Sequence, residues 1–555
     1  FVKNNSIEQL YEFYNYNSSL SVCVDDAQLT DMQNDYPNIN FTANCSNLLT
    51  SIWNGTTWSN GIPTASVNAI ISAPYSTAAN TTFTAANIII NNGGVLEITS
   101  GNTINAADVT VKNGGNFIQR DGSTLNYTGT FKVLKSGASA LNKYAFWSSP
   151  VVSQDLTAIY PNSTPSFITE YNTATDYFVN AASTTSVFGK GYSIKTPAVS
   201  NVSFTGTPNT GSQTYTLATT GNRFNLVGNP YPSNLNLDTF YTANSSRISN
   251  TFYFWDNTSN SVTAQGGTTS VNIGYATYNA STSAWVPAPN IAAVLAGNTA
   301  NIGQGFFVQT LASPSDTSLS FSNDMRAATA GTFFNKNNSA TEGKFWLRLN
   351  SSYNFNNTFA VAYLSSASDT FDKYDSKAIA TGSDAFYTLA DAQKLVIQGK
   401  STFDISDTVP VGTKHFDTGS FVISLAQKEG IFDNGQAIYL HDKDLGTYTN
   451  LQNANYSFTA NAGEFANRFE IVYKLNVLAT AEANKDSFEV YRDGEDFFVR
   501  NDKNIETVEV LDAAGRKVMH LNPNAKLVRL KLNAKGLYIL RAVSAGKEYS
   551  KKIMK

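Results

Sequence analysis

The sequence is poor in charged residues, histidine and cysteine, and these shortages exclude several classes of protein. Only 14% of its 555 residues are Asp, Glu, Lys or Arg, and it holds 3 His and 2 Cys. It contains no Gly-x-Ser-x-Gly, His-Glu-x-x-His or Cys-x-x-Cys motif, so the usual nucleophile and zinc patterns are missing. The Gly-x-Gly pairs at Gly189/Gly191 and Gly303/Gly305 precede no helical pattern, which argues against nucleotide binding. We therefore predict a protein that is not an enzyme and needs no cofactor.

Long apolar runs and basic stripes are also missing. No run approaches the roughly 18 apolar residues that a helical membrane span needs, so we predict no transmembrane segment. The net charge is −4, and no basic stripe occurs before residue 485, so nucleic acid is not an expected partner. The chain begins with Phe1 and shows no signal peptide, which predicts that it is processed or incomplete.

Residues that suit pleated strands are abundant. Aromatic residues make up 12% of the chain, with 28 Tyr and 35 Phe, and Thr and Val are frequent. Helical periodicity is rare, and Phe386–Gln393 is the best short candidate. A chain of this length is expected to form three to five domains. We predict an all-β, multi-domain fold: a short parallel β-helix, two β-sandwich-like modules and a C-terminal seven-stranded antiparallel β-sandwich.

An internal repeat predicts that residues 51–140 form the parallel β-helix. Val67, Ile88 and Val109 are each 21 residues apart, and Asn92-Gly93-Gly94 recurs as Asn113-Gly114-Gly115. Repeats of about 20 residues with glycine corners are typical of this fold. Few charges point outward, which favours a spacer over a polysaccharide lyase. Trp53 and Trp58 are expected to cap the open end of the core, with an exposed platform for sugar as the alternative.

The middle of the chain is predicted to form the two β-sandwich-like modules, 141–326 and 341–476, separated by a polar, linker-like stretch. Asp369, Asp372 and Asp375 are three residues apart, and oxygen-rich loops can bind Ca²⁺. The spacing matches no strict calcium loop, so a solvated loop is the favoured interpretation and Ca²⁺ the alternative.

The last 71 residues, 485–555, are basic and fully patterned as strands. They hold 15 Lys and Arg against 10 Asp and Glu, a net charge of +5, which leaves −9 on the other 484 residues. A disordered charge run would be low in apolar residues, whereas alternating apolar segments between turn residues predict a folded domain. The seven segments are Phe488–Tyr491, Asp496–Arg500, Ile505–Leu511, Arg516–Leu521, Leu527–Leu532, Leu537–Val543 and Lys547–Met554.

Three strings of this tail resemble, in order, the motifs of type IX secretion C-terminal sorting domains of type A. Residues 510–518 are similar to the family's Asp-x-x-Gly-Arg/Lys hairpin, and residues 533–540 to its Gly-x-Tyr strand. The last five residues, 551–555, are similar to its closing motif. An ordinary terminal β-sandwich would explain the charge but not the order of the motifs. The predicted signal residues are Asp512, Gly515, Arg516, Gly536, Tyr538, Lys551, Lys552, Ile553 and Lys555.

This resemblance implies a bacterial protein that is exported across the outer membrane to the cell surface or beyond. The expected partners are the type IX translocon and its outer-membrane shuttle barrel protein, with surface glycans or glycolipid as further partners. Cleavage would fall in the linker 477–484. We predict a non-enzymatic, adhesin-like protein for adhesion, glycan contact or gliding motility. The alternatives are an exported glycan-active enzyme, with its catalytic domain upstream or in 141–476, and a structural component of the secretion or gliding machinery.

Residues 1–50 resemble the C-terminal cap of bacterial leucine-rich repeat arrays, through residues 20–26 and 41–45. A cap covers repeats that cannot bury their own faces, so we predict that the natural protein extends upstream of Phe1. A freestanding hairpin is the alternative. Cys23 and Cys45 lie 22 residues apart, which in an exported protein predicts a disulfide; two free buried thiols are the alternative.

Overall fold

The fold is all-β and multi-domain, as predicted: about 53% of the computed structural model is strand. Two compact units, Phe1–Lys474 and Leu475–Lys555, divide the chain. The structure describes residues 21–24, 29, 30, 32, 40–42, 50–135, 144–197, 202–255, 274–289, 291, 295, 297–328, 342–353, 355–378, 384–475, 488–493 and 495–555.

The first unit opens with parallel strands. Two of them, β1 and β2, pair with each other, and the next ten form a solenoid with three faces: β3-β4-β6-β9-β12, β5-β7-β10 and β8-β11. The strands are β1 Ser21–Cys23, β2 Asn40–Thr42, β3 Thr50–Trp53, β4 Asn68–Ile71, β5 Pro74–Ser76, β6 Asn87–Ile90, β7 Val95–Ile98, β8 Thr103–Ala106, β9 Asp108–Val111, β10 Asn116–Gln119, β11 Thr124–Tyr127 and β12 Phe131–Lys135.

Branched apolar side chains stack through the solenoid because each strand pairs in register with the next coil. Ile71 pairs with Ile90, Ile90 with Val111, and Val111 with Val133, and all four side chains are fully buried. At the first coil, Trp53 is buried and lies edge-on to Tyr75, with ring centroids 4.9 Å apart. The core is thus a column of aliphatic residues with aromatic rings at one end.

The 21-residue spacing holds for later coils but is wrong for the first. Ile88 pairs with Val109 as predicted, but its other partner is Ala69 and not Val67. The corner explains the difference: residues 72–73 alone connect β4 to β5, whereas 91–94 connect β6 to β7. A change of two residues leaves the same side chains facing inward, since strand side chains alternate with a period of two.

The next stretch of the first unit packs short sheets around one α-helix. Its strands are β13 Tyr144–Trp147, β14 Ile168–Asn172, β15 Tyr177–Asn180, β16 Tyr192–Lys195, β17 Val202–Thr205, β18 Gln213–Thr216, β19 Phe224–Gly228, β20 Asn234–Asn236, β21 Thr251–Trp255, β22 Tyr275–Asn279, β23 Ala284–Val286, β24 Thr299–Ala300, β25 Gly305–Gln309, β26 Ser318–Phe321 and β27 Arg326–Ala327. The helix, α1, spans Leu237–Asn244, and its buried Leu237 and Phe240 join a core with Phe252 and Phe306.

The rest of the first unit is one large sheet in the order β36-β35-β38-β33-β31-β32-β29-β28-β34-β37, with β30 paired to β32. Its strands are β28 Gly343–Ser351, β29 Asn356–Tyr363, β30 Ser376–Lys377, β31 Ala385–Ala390, β32 Gln393–Lys400, β33 Thr408–His415, β34 Gly419–Gly430, β35 Tyr439–Asp442, β36 Thr447–Asn450, β37 Tyr456–Ala460 and β38 Gly463–Val472. Buried side chains from many of these strands form one apolar cluster, which includes Phe345, Val361 and Phe469.

The helix expected at Phe386–Gln393 is wrong, because these residues form the β31–β32 hairpin. Thr388 pairs with Leu395, and the connecting Asp391 and Ala392 both have positive φ, 47° and 61°. Two such residues make the turn whose twist matches a two-residue hairpin. The helix that does form, α1, begins after Asn236, whose side chain accepts the Thr239 amide at 2.9 Å.

Two kinds of contact join the modules of the first unit. The indole N–H of Trp346 donates to the carbonyl of Trp285 at 2.6 Å, inside an apolar cluster with Val286 and Ala360. Beside it, the Ser376 hydroxyl lies 2.9 Å from both Thr251 Oγ1 and Asn279 Nδ2. Buried polar groups that satisfy one another in this way make the junction specific as well as stable.

The solenoid is joined to the following module by a sheet extension and by a buried arginine. Strand β17 adds antiparallel to β12, with Val133 opposite Phe204. At the β10 edge, the Phe117 amide donates to the Pro232 carbonyl at 2.8 Å. Strand edges carry unpaired backbone groups, so both contacts cover an edge that would otherwise be open.

Arg326 completes this junction from within. It is 2% exposed, and its guanidinium donates to the carbonyls of Phe117 at 2.7 Å and Gln119 at 3.1 Å. Nε donates to Ser233 Oγ at 3.2 Å, and the Tyr231 ring centroid is 5.1 Å from Cζ. Burial lowers the pKa of Arg326. A buried cation is tolerated only where its donors are used, and here backbone carbonyls of the solenoid use them.

We predict that Arg326→Met lowers the free energy of unfolding of the full chain by about 2–4 kcal/mol, because two buried carbonyls lose their donor. Urea denaturation followed by tryptophan fluorescence measures this change. The matched control is Arg247→Met, which removes an arginine paired with Asp316 at 2.8 Å on the surface. An equal loss of stability in both variants would contradict the assignment.

The second unit is an antiparallel sheet of six strands: β39 Glu489–Asp493, β40 Asp496–Asp512, β41 Lys517–Leu521, β42 Ala525–Leu530, β43 Leu537–Ser544 and β44 Lys547–Met554. Seven strands were expected, and the difference lies in β40, which joins two predicted segments. Its first half pairs with β39 and β42 and its second half with β41 and β43, with an irregularity between Arg500 and Ile505. One bent strand therefore contributes to both halves of the domain.

Candidate functional site

The first predicted motif of the C-terminal domain forms the turn between β40 and β41. Asp512 Oδ1 accepts the backbone amides of Ala514 at 2.9 Å and Arg516 at 3.0 Å, and Oδ2 accepts Arg516 Nε at 2.8 Å. These bonds, led by the Arg516 amide, lower the pKa of Asp512. Gly515 has a φ of 79°, which favours glycine. The motif residues Asp512 and Gly515 thus build the turn, and Arg516 is left 81% exposed by its side chain.

The second motif lies in β43 and faces the core. Tyr538 is buried, and its hydroxyl donates to the Ala534 carbonyl at 2.9 Å. Leu540, two residues on, is fully buried beside Val508 and Val510 of β40. Alternation along the strand places these two side chains on one face, so the motif pattern is the pattern of a half-buried strand.

The closing motif is bonded to the second one. Gly536 and Lys555 exchange backbone hydrogen bonds of 3.1 and 3.3 Å. Ile553 is buried opposite Tyr538 in the β43–β44 register. Lys555 Nζ contacts the Leu532 carbonyl and lies 3.7 Å from Glu495 Oε2. The last residue of the domain is therefore part of its sheet.

The three motifs meet in one row across the sheet. Asp512 is the register partner of Tyr538, and Tyr538 is the register partner of Ile553. Segments that lie 26 and 15 residues apart along the chain thus become adjacent. Lys551 and Lys552 of the same set are both exposed on the edge strand β44. The structure brings the predicted signal residues together, and their role in secretion stays a prediction.

The three aspartates considered for Ca²⁺ do not converge. Asp372 Oδ1 accepts the Tyr374 amide at 2.7 Å, and Asp375 accepts the amides of Asp372 at 2.8 Å and Gly399 at 3.0 Å. Asp369 accepts from Ser401 instead. Within the described ranges no three His, Cys, Asp or Glu side chains are grouped to hold a metal ion. The carboxylates cap backbone donors, which is why their regular spacing produces no common centre.

The Cys23–Cys45 disulfide and the leucine-rich-repeat cap lie outside what the structure can address. Cys45 is outside the described residues, and of Cys23 only the backbone, in β1, is described. The linker 477–484 is outside them as well. Among the described residues, every helix falls short of the length and hydropathy that a membrane span requires.

Two histidines of the large sheet have contrasting surroundings. His441 Nδ1 lies 2.8 Å from Glu470 Oε1, and its ring stacks on Tyr448 with centroids 4.1 Å apart. His415 is buried against Phe421, with centroids 3.8 Å apart, and neither ring nitrogen has a hydrogen-bond partner. Burial, with a smaller contribution from the charge of Arg468, lowers the pKa of His415 to about 4. His415 is thus a neutral core residue.

We predict that acid weakens the first unit through His415. Between about pH 4 and 6.5 the unfolded chain binds a proton on this histidine that the folded protein does not, so the free energy of unfolding falls as pH is lowered. Integrated over this window the loss is about 3 kcal/mol. Denaturation at pH 7 and pH 4.5 should show a smaller acid loss for His415→Phe than for the wild type, with His441→Phe as control. Equal acid losses in the wild type and His415→Phe would contradict the prediction.

We further predict that the motif tyrosine acts through the fold of the C-terminal domain. Tyr538→Ala should lower the free energy of unfolding of this domain by about 3–5 kcal/mol, as for other buried aromatic residues. Tyr538→Phe, which loses only one hydrogen bond, should cost about 1 kcal/mol. Thermal melting of the full chain, with limited proteolysis of the domain, measures both. A stable Tyr538→Ala domain would show that the tyrosine is not a core residue.

Fold and surface together define a multi-domain, all-β protein in which a short parallel solenoid is continuous with larger antiparallel modules. The chain belongs to the family described as a domain of unknown function, DUF8693, whose model matches residues 47–473. That span begins just before the solenoid and ends in the turn after β38. No curated protein matches the sequence.

One solved structure illustrates how little further the structural comparison goes. The central fibronectin-III array of RIM-binding protein aligns over 31% of this chain and 87% of that chain, at 10% identity. The TM-score is 0.09, so this likeness carries no argument about fold or function.

Sequence reasoning missed the residues that join the domains and those that the C-terminal sheet exposes. Arg326 is a single arginine in a short strand, and its partner Phe117 lies 209 residues earlier. The exposed residues Leu537 and Ile539 stand between the motif residues, and the strict alternation of β43 was the available signal for them. Both sets act through position in the fold and carry no motif of their own.

Proposed function

We propose that residues 475–555 are the folded export signal of a type IX secretion substrate, and that the DUF8693 region is its non-enzymatic cell-surface cargo. The observation that supports this best is the row formed by Asp512, Tyr538 and Ile553. Three motifs in the family's order become one structural feature, which an unrelated basic β-sandwich would have no reason to contain.

The division of the chain supports the same proposal. The C-terminal domain is a compact unit with its own buried core, so a translocon could read it as a folded object. The cargo unit is a rigid series of β modules whose junctions are buried and hydrogen-bonded. Such a unit suits adhesion, glycan contact or a role in surface motility, where extension and resistance to unfolding matter more than chemistry.

We predict that deletion of residues 485–555 leaves the protein in the periplasm of a bacterium that has type IX secretion. The intact chain should reach the surface, because the translocon reads the missing domain. Surface labelling and fractionation of cells measure the distribution, with Tyr538→Phe as a control that keeps the domain folded. Normal surface display of the truncated chain would refute the proposal.

A further inference from the structure

The motif residues of β43 and β44 face inward, and the residues between them form a separate apolar surface. Leu537, Ile539 and Met554 are 36%, 40% and 72% exposed. Leu537 pairs with Met554, and Ile539 is flanked by Leu511 of β40 on one side and Lys552 of β44 on the other. Register partners share a face, so these apolar side chains form one patch, here called the outer strip: Leu511, Leu537, Ile539 and Met554.

The outer strip has a basic border whose charges are not all neutralised. Lys552 and Arg541 lie on the same face and are exposed, and neither has an ion pair among the described residues. On the other side, Lys517 is paired with Glu509 at 2.5 Å and Arg516 with Asp512 at 2.8 Å. Two unpaired cations therefore stand beside exposed apolar side chains.

Such a surface is costly for a protein that remains alone. Exposed apolar residues at a sheet edge promote wrong association, and proteins usually place polar residues there. The inward motif residues could be preserved by folding alone, but folding does not require Leu537, Ile539 and Met554 to be apolar. A partner that covers them would account for both the apolar strip and the cations beside it.

We propose that the outer strip, with Lys552 and Arg541, is the face on which an acidic, partly apolar protein surface of the export machinery docks. This inference rests on the proposed export function and names the surface that is read. A second copy of the chain is disfavoured as the occupant, because self-association would bring the unpaired cations of two strips together. The motifs then specify the fold, and the residues between them specify recognition.

The first test removes the apolar surface and keeps the core. The triple variant Leu537→Ser, Ile539→Ser, Met554→Ser of the full chain should lose surface display by about tenfold or more, as expected for the central contacts of an interface. The matched control is Val518→Ser, Leu521→Ser, Leu527→Ser, three exposed apolar residues of the same domain outside the strip. It should be displayed normally. Equal loss in both triple variants would overturn the proposal.

The second test separates local charge from net charge. Arg541→Glu with Lys552→Glu should reduce display, whereas Lys526→Glu with Lys531→Glu changes the net charge equally and should not. All four positions are exposed, so neither pair should disturb the core. Equal loss in the two pairs would show that net charge and not this face is read, and would overturn the proposal.

Controls on folding and association make the outcomes distinct. Thermal melting should show that the strip variants stay as stable as their controls; a tail that unfolds in both strip variants but in neither control set would assign the strip to folding and overturn docking. If the 485–555 deletion is displayed normally, the export function itself fails. If the deletion is retained but both strip variants are displayed, only the docking face fails. Sedimentation that shows a dimer dissociated by the strip variants would identify a second copy as the occupant and overturn the acidic partner.

Discussion

The buried guanidinium of Arg326 is the contact on which the architecture of the first unit depends. Its acceptors come from distant stretches of the chain: the carbonyls of Phe117 and Gln119 on the solenoid, and the hydroxyl of Ser233 in the next module. Burying such a group without partners is strongly unfavourable, so the arginine is stable only when these stretches are all in place. The solenoid and the module it joins are therefore coupled energetically, which agrees with one family model spanning 47–473.

In the C-terminal domain the controlling feature is register rather than a single contact. Because Asp512, Tyr538 and Ile553 are aligned across three strands, a one-residue slip would turn the buried side chains of a strand to solvent. The backbone pairing of Gly536 with Lys555 fixes that register at one end, and the Asp512 turn fixes it at the other. A sequence can be recognised by such motifs even though most of their side chains are inaccessible in the folded domain.

The sequence allowed the all-β class and the solenoid to be predicted because both depend on local alternation and on repetition. The errors occurred where local signals were silent. Asp391 and Ala392 adopt positive φ without a glycine to announce the turn, so a hairpin was read as a helix. The two-residue corner after β4 shifted the first coil without changing its inward face. The candidate site was found through its motifs, while the outer strip required knowing which side of the sheet the core occupies.

The pairing of one solenoid coil with the next has a consequence for how such proteins change length. Each coil buries its own residues against its neighbours and adds about 4.8 Å to the stack. The ends are closed by different means, with aromatic rings around Trp53 at one end and strand β17 at the other. A whole coil could therefore be gained or lost by duplication without rebuilding either end. Related chains could thus adjust their reach in discrete steps, as a ruler with fixed divisions does.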